Sequence, residues 1–514
     1  MKEAFETVLT PRQMRGYEQE AFSRGVNPLL LMEDAARALR NRLIPLLQAA
    51  ASQRVLIACG PGNNGGDGAA LGRLLLLEGY ETLLVAVGDP ATESARTMRA
   101  WYDVLGGRTL SCPDASALDL ISAETETFRP DCVVDALFGT GFHGEVNEFY
   151  RRILWWVNDL NARIVLAVDI PSGMNGADGN VDTDATFGCP VCVRATHTVT
   201  LGCWKPGFFL TKAPEYAGEL MLARIALPKP EPETDLRLIT SEAMSWIPPR
   251  PVDAHKGTAG RVLMYMGSEG MAGAAAMAAR AALRAGAGLV TVACPREIIP
   301  VIQGLVPNAM CVPDETLSGR IPAHDVLAAG CGLGQSEKTA RTLAGLLEQE
   351  TGIAILDADA LNLLAQAPMK LPERTVITPH PGEAARLLNL PVRSVLDDPL
   401  GCVRTLADKF GAVALLKGRV SLISDGKQVL FQRRGAPALA KGGSGDALTG
   451  ILAALCADRT VCAACQEPER LMDKAALASL WLGLAGERAQ RERGDRSVLT
   501  GDVIDQLPGC LRQE

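Results

Sequence analysis

The chain has 514 residues, 47% of them hydrophobic and 21% charged, with a formal net charge of −8 at pH 7. That length exceeds one ordinary core and predicts at least two globular domains, and the acidic balance argues against a nucleic-acid surface. The apolar runs are broken by Gly, Pro or charge before the roughly 20 residues that a membrane-spanning helix needs, so no membrane partner is expected.

The first residues, Met1-Lys2-Glu3-Ala4-Phe5-Glu6, lack the apolar stretch of a secretory signal. The fourteen cysteines are scattered. Cys59, Cys294 and Cys331 sit in strand-like apolar runs, as buried free thiols do. Two CxxC pairs, Cys189/Cys192 and Cys462/Cys465, have no partner pair nearby, which disfavours zinc or redox chemistry. A reducing cytoplasm is the simplest setting.

Thr10-Pro11-Arg12-Gln13 predicts a helix start, with an N-cap, Pro at the first position and Gln at the third. A second helix is expected over 27–43, its apolar positions Leu30, Leu31, Ala35 and Leu39 on one side. The run 54–59 reads as a buried strand entering a glycine loop, Gly60 to Gly68, that contains Asn63, Asn64, Gly65, Gly66 and Asp67. A helix over 69–78 follows. Strand, glycine loop and helix form the geometry in which backbone amides hold a phosphate, although neither GxGxxG nor a P-loop is present. A sharp turn with no ligand is the alternative.

Further α/β alternation follows: strand 82–87, helix 91–105, strand 132–138 closing on Gly139-Thr140-Gly141, helix 149–160, and strand 164–168 closing on Asp169-Ile170-Pro171-Ser172-Gly173. Such alternation predicts a parallel sheet covered on both faces, with ligands beyond the carboxyl ends of the strands. Asp135 and Asp169 fall at two such ends, where a helix cap is the plainer reading of each. The oxygen donors Asn64, Asp135 and Ser172 suit a hard cation, which leaves Asp169 free for general acid–base work.

Leu227-Pro228-Lys229-Pro230-Glu231-Pro232-Glu233 reads as a linker. It sets the expected domains at 1–226 and 237–514, joined by 227–236. Strands are then expected at 261–266, 289–293, about 328–331, 353–356, 376–378, 412–416 and 429–431, with an Ala-dense helix over 274–285 that should pack closely. Their ends again carry glycines or polar groups: Gly334; Asp357-Ala358-Asp359; Thr378-Pro379-His380-Pro381-Gly382-Glu383; and Lys417-Gly418-Arg419-Val420-Ser421. His380 between prolines reads equally as a capped structural residue or a ligand contact. Lys417 and Arg419 could pair with phosphates or lie in a solvated turn. Lys441-Gly442-Gly443-Ser444-Gly445-Asp446 precedes a buried helix, whose first turn would present free N–H groups and a positive dipole end. This is an oxyanion cradle beside a carboxylate, or a turn with Asp446 as its N-cap.

Gly443-Ser444-Gly445-Asp446 resembles the anion hole and catalytic Asp of ribokinase-like small-molecule kinases. The motifs at 357–362 and 378–383 narrow the resemblance to the NAD(P)H-hydrate dehydratases. Asn63-Asn64-Gly65-Gly66-Asp67-Gly68 and Val168-Asp169-Ile170-Pro171-Ser172-Gly173 are similar to NAD(P)H-hydrate epimerase. Over nearly the whole chain, the order resembles the bacterial bifunctional NAD(P)H-hydrate repair enzymes. The resemblance implies an N-terminal Rossmann-like αβα sandwich and a C-terminal ribokinase-like αβα domain, in a cytoplasmic homo-oligomer acting on hydrated NADH and NADPH.

By that resemblance Asn63, Asn64, Gly65, Gly66 and Asp67 would hold the hydrate in the epimerase, together with Gly139, Thr140, Gly141, Phe142, His143, Gly144 and Glu145. Asn64, Asp135 and Ser172 would bind K+, and Asp169 would contact substrate and catalyse. Ala272, Gly334, His380 and Asp446 would hold the hydrate in the dehydratase, with Asp446 catalytic. Lys417, Gly418, Arg419, Val420, Ser421 and Gly445 would hold the nucleotide, ADP in the bacterial branch, with Mg2+. A ribokinase-type small-molecule kinase and a non-catalytic nucleotide sensor are the competing readings.

Overall fold

The structure is a computed structural model that describes residues 3–141, 146–228, 234–317, 321, 323–350, 352–458, 460–461 and 470–511. It divides into two compact units, Thr7–Thr234 and a second made of Asp235–Glu514 together with Met1–Glu6. Most of the proline-rich stretch expected as a linker, residues 229–233, lies outside the described residues, as do Phe142, His143, Gly144, Glu145 and the Cys462/Cys465 pair. Among the described residues no helix is long and apolar enough to cross a membrane.

In chain order the strands are β1 Phe5–Thr7, β2 Arg54–Cys59, β3 Glu81–Ala86, β4 Arg108–Ser111, β5 Cys132–Ala136, β6 Ile164–Val168, β7 His197–Leu201 and β8 Glu219–Ala223. There follow β9 Leu236–Ile239, β10 Arg261–Tyr265, β11 Leu289–Cys294, β12 Met310–Pro313, β13 Val326–Ala329, β14 Ile353–Leu356, β15 Thr375–Ile377, β16 Val413–Leu416, β17 Ser421–Ser424 and β18 Val429–Gln432.

In the first unit seven strands run β4-β3-β2-β5-β6-β7-β8, and every pairing is parallel. One apolar core lies on each face of this sheet, so its strands read as continuous apolar runs. The chain leaves β2 toward β3 and β4, then returns to place β5 on the other side of β2. Loops diverge there, beyond the carboxyl ends of β2 and β5, which opens the crevice where α/β sheets bind ligands.

The helix expected to begin at residue 69 begins at Asn63 and runs to Leu77. Residues 63–68 of the expected loop are therefore helical, and only residues 60–62 remain a turn. The helical glycines serve close packing: a Cβ on Gly65 would fall 1.9 Å from the Gly60 carbonyl oxygen, and one on Gly68 would fall 2.6 Å from Ala136 Cβ. The first predicted helix start is present, with Thr10 as N-cap and Gln13 completing a capping box.

The second unit holds an eleven-stranded sheet, β1-β9-β18-β17-β16-β15-β14-β13-β10-β11-β12. It is parallel from β12 to β16 and antiparallel through the hairpin β16–β17–β18. Strand β1 sits at its edge, where Thr240 N–H donates to the Ala4 carbonyl at 2.9 Å and Phe5 meets Trp246 edge-on at 5.2 Å.

The Ala-dense helix, Ala272–Arg284, packs against the buried helix Ser444–Ala457. Their backbones nearly touch at Gly450, where a Cβ would lie 2.2 Å from the Ala278 carbonyl oxygen. This contact fixes the second helix, and with it the first turn that carries Asp446. We expect Gly450→Leu to destabilise the second unit by about 2–3 kcal/mol and to displace Asp446. Urea unfolding gives the first effect, and a drop in second-unit turnover measured far below the unfolding midpoint gives the other.

Two candidate active sites

In the first unit a cavity of about 430 Å³ lies beyond the ends of β2, β5, β6 and β7. Asn63, Asn64, Asp67, Gly139, Thr140, Gly141 and Asp169 line it, while Gly65 and Gly66 do not. The helix behind Asn63 and Asn64 is capped by Gly62 without a side-chain hydrogen bond, which leaves first-turn N–H groups without that acceptor.

Asp169 follows β6 with φ of 66°, a left-handed conformation uncommon for a residue with a side chain and typical of functional sites. It is held there by its own carboxylate. Asp169 Oδ1 accepts from Lys205 Nζ at 2.5 Å, Leu201 N–H at 3.2 Å and Thr200 Oγ1 at 3.3 Å. Lys205 is 1% exposed and its Nζ also donates to Thr200 Oγ1 and the Leu201 carbonyl.

Two further carboxyls share this space. Glu18, on the helix Pro11–Ser23, lines the same cavity. Burial first, then the Asp169 charge, pushes it up to about 7 against the opposing pull of Lys205 and Arg15. Asp67 is raised well above the usual carboxylate range by burial, Asp169 and Glu18 in that order. Neither Glu18 nor Lys205 carries a motif; only the folded chain brings them to Asp169.

Asp135 and Ser172 meet directly: Ser172 Oγ and Ser172 N–H donate to the Asp135 carboxylate at 2.6 and 2.8 Å. Asp135 is fully buried, and burial pushes it up to about 6 although Ser172 and the Leu137 N–H pull the other way. Asn64 is buried beside Gly139, whose Cβ would stand 3.1 Å from Asn64 Oδ1. Asp135 and Asp169 are thus strand-end groups rather than helix caps.

In the second unit the ends of β13, β14, β15 and β16 lie side by side. Asp357 follows β14 and is 1% exposed. Lys417, which follows β16, gives Asp357 Oδ1 a 2.6 Å ion pair, and Thr449 Oγ1 donates to Oδ2 at 2.9 Å. Glu383 lies 3.8 Å from the same lysine. Burial disfavours the Lys417 ammonium, but Asp357 and Glu383 outweigh it and hold the amine above its ordinary value. His380 is the N-cap of the helix Pro381–Leu388, with Glu383 closing a capping box, so its structural role is present. Its side chain is half exposed, which leaves the ring available to a ligand as well.

Asp446 is not an N-cap. Gly443 holds that position with φ of 98° and no side-chain hydrogen bond, and Asp446 stands in the first turn. Burial raises its carboxyl, helped by Asp357 and opposed by a Cys331 hydrogen bond and by Lys417. Gly445 is where the two halves meet: a Cβ there would be 3.5 Å from both Asp357 Oδ2 and Lys417 Nζ. Gly334 N–H donates to Asp359 at 2.9 Å, and the glycine turn around it packs on Met271, next to Ala272 at the start of its helix. Gly418, Arg419 and Val420 form the β16–β17 turn, and Ser421 is the buried first residue of β17. Asp357, Glu383 and Thr449 are the groups that sequence reasoning left unassigned, although the first two lie inside quoted motifs.

Two family models match the chain: that described as YjeF-related protein N-terminus over residues 29–207, and that described as NAD(P)H-hydrate dehydratase over residues 262–509. The bifunctional NAD(P)H-hydrate repair enzyme Nnr of Coxiella burnetii is 36% identical, covering 96% of this chain and 97% of its own. That of Escherichia coli K12 is 37% identical over 89% and 85%. A solved ADP/ATP-dependent NAD(P)H-hydrate dehydratase of Bacillus subtilis, co-crystallised with ATP and Mg2+, is 29% identical, covers 53% of this chain and 96% of its own, and has a TM-score of 0.47.

Removing the shared lysine isolates two buried carboxylates. Lys417→Met is expected to cost the second unit about 3–5 kcal/mol. Adding Asp357→Asn should return part of that loss, because the charge left stranded is then gone. Chemical denaturation of the single and double variants checks both statements.

Proposed function

The chain belongs to the family of bifunctional NAD(P)H-hydrate repair enzymes, and from that premise we propose how its two sites divide the work. It is an enzyme with epimerase and ADP-dependent dehydratase activities toward hydrated NADH and NADPH. The second unit dehydrates the S hydrate, and the first converts R to S.

One observation carries the dehydratase assignment: a partly buried Asp446 in the first turn of an uncapped helix, beside the Lys417–Asp357 pair. The hydrate bears a hydroxyl on its reduced ring, and hydroxide is a poor leaving group near neutral pH. Phosphorylation makes it a good one. Asp446 takes the hydroxyl proton as the oxygen attacks the terminal phosphorus of ADP and AMP departs. The N–H groups near Gly443–Gly445 receive the charge that develops on the phosphoryl oxygens. The ring nitrogen lone pair then expels phosphate, and loss of a proton from the adjacent ring carbon restores the coenzyme. Lys417 neutralises the phosphates, the 418–421 turn positions the nucleotide, and Ala272, Gly334 and His380 border the hydrate. Among the described residues there is no cluster of three or more His, Cys, Asp or Glu that could hold a metal, which suits a Mg2+ ion that arrives on the nucleotide.

In the first unit the hydrated ring occupies the cavity against Asn63, Asn64, Asp67 and Gly139 to Gly141, with Asp169 touching it. The donors Asn64, Asp135 and Ser172 fit K+: all are hard oxygens, and Asp135 is a fully buried carboxylate whose partners among the described residues are hydrogen-bond donors and no cation. When bound there, K+ supplies a fixed positive charge at the mouth of β5. A cytoplasmic homo-oligomer remains part of this reading.

With hydrated NADH and ADP the purified protein should restore the reduced-nicotinamide absorbance. Asp446→Asn should lower that rate by at least about 100-fold while ADP still binds by calorimetry. A stable phosphorylated product in the mass spectrum would instead mark a kinase. For the first unit, K+ should raise the thermal midpoint more than Na+ at equal ionic strength, and Asp135→Asn should remove the difference.

A further inference from the structure

Asp169 Oδ1 already accepts three hydrogen bonds, one of them from an ammonium that is 1% exposed. Proton uptake at that oxygen would break a buried ion pair and leave the ammonium without its counter-charge. A group that must gain and lose a proton in every turnover is better placed nearby, unpaired and in contact with the same space. Glu18 is such a group. It lines the same cavity as Asp169, Asp67 and Asn64, and its carboxyl has no hydrogen-bond partner among the described residues.

We infer that Glu18 carries the proton to and from the ring hydroxyl in the first unit, while Asp169 remains the charged partner of Lys205 and faces the ring. This inference rests on the epimerase reading. The step balances as follows. The Glu18 carboxyl gives its proton to the hydroxyl oxygen, the carbon–oxygen bond breaks with its electron pair leaving on water, and the ring nitrogen lone pair forms an iminium. Water then adds to the opposite face of that carbon, and its surplus proton returns to the Glu18 carboxylate through the departed water.

The groups that face Glu18 set its proton affinity. They are Asp169 beyond β6, Lys205 and the Cys203 thiol beyond β7, Asp67 on the helix Asn63–Leu77, and Arg15 one turn back on its own helix. Burial first and then Asp169 raise it, the two cations lower it, and the carboxyl reaches about 7. An acid whose proton affinity matches the working pH is the most efficient proton carrier there.

The test uses the full chain without ADP and follows interconversion of the two separated hydrates by chromatography. Wild-type turnover should fall as pH rises through about 7, where Glu18 loses its proton. Glu18→Gln, isosteric and without a contact to lose, should lower kcat by about 100-fold or more, abolish that pH limb and leave KM nearly unchanged. Glu18→Asp should recover part of the rate with the limb displaced, and it serves as the readout should the Gln variant melt earlier than wild type. Wild-type kcat and an unchanged limb in both variants, or a loss confined to KM, overturns the role of Glu18. Failure of the wild-type chain to interconvert the hydrates overturns the epimerase reading itself, and the role of Glu18 with it.

Discussion

Each unit is organised around one lysine, buried in the first and partly buried in the second, that neutralises one buried aspartate at a strand end. Lys205 does so for Asp169 and Lys417 for Asp357. A buried ion pair is no net source of stability, because the desolvation of both charges cancels most of their attraction. Its value lies in what it leaves over. Each site holds more carboxyls than its lysine can balance: Glu18 and Asp67 beside the first pair, Glu383 and Asp446 beside the second. Glu18, Asp67 and Asp446 are raised by burial and by like charge. A surplus carboxyl at low dielectric holds its proton into the range where proton transfer is useful. Charge imbalance around a fixed pair therefore makes acid–base groups from ordinary Asp and Glu.

The pairs stand where they do because helices approach their neighbours closely. In the first unit the absent side chains of Gly65 and Gly68 let the helix Asn63–Leu77 press against Gly60 and Ala136. In the second, Gly450 lets the helix Ser444–Ala457 touch the backbone at Ala278. Both helices point an N-terminus without a side-chain cap toward strand ends that carry acid. Positive helix ends and backbone N–H groups suit anionic ligands, and the lysines extend that field. The acids would repel such ligands, and pairing with a lysine or a raised proton affinity lessens that repulsion.

Much of this was legible in the sequence where one physical signal dominates. The strand at 54–59 and that at 353–356 have the bounds expected of them, because short apolar runs between Gly, Pro or charge have no other use. The strand ends Asp135, Asp169 and Asp357 followed from the same runs. The start of the helix at 63 was not legible, since Asn-Asn-Gly-Gly-Asp-Gly has the composition of a turn and only tertiary packing makes it helical. The strands β4, β7, β8 and β12 and the helix Ala115–Phe128 had no reading either. The edge strands β4 and β12 are short and half exposed, so their pattern is weak. Glu18 and Lys205 were invisible for a different reason: a single Glu on an amphipathic helix and a single Lys before a Pro-Gly turn become a site only through contacts across 187 residues, the interval from 18 to 205.

The two sites address one chemical problem in two ways, and the difference explains why their residues differ. The bond to break joins a ring carbon to a hydroxyl, and the ring nitrogen lone pair assists its departure in both. A site that only protonates the hydroxyl returns water to the same carbon, so it is reversible by construction and can do no more than equilibrate the two faces. It needs a carboxyl that exchanges its proton near neutral pH and a cavity that retains water, which Glu18 and the 430 Å³ space supply. A site that phosphorylates the hydroxyl couples its loss to cleavage of a phosphoanhydride, and the elimination is driven to completion. It needs a base for the attacking oxygen, a cradle of N–H groups and cations for the phosphates, the roles proposed for Asp446, the turn at 443–445 and Lys417. A fixed phosphate position admits one ring face only. The irreversible site is therefore selective and the reversible one indifferent to face, so the first must feed the second for both hydrates to be cleared.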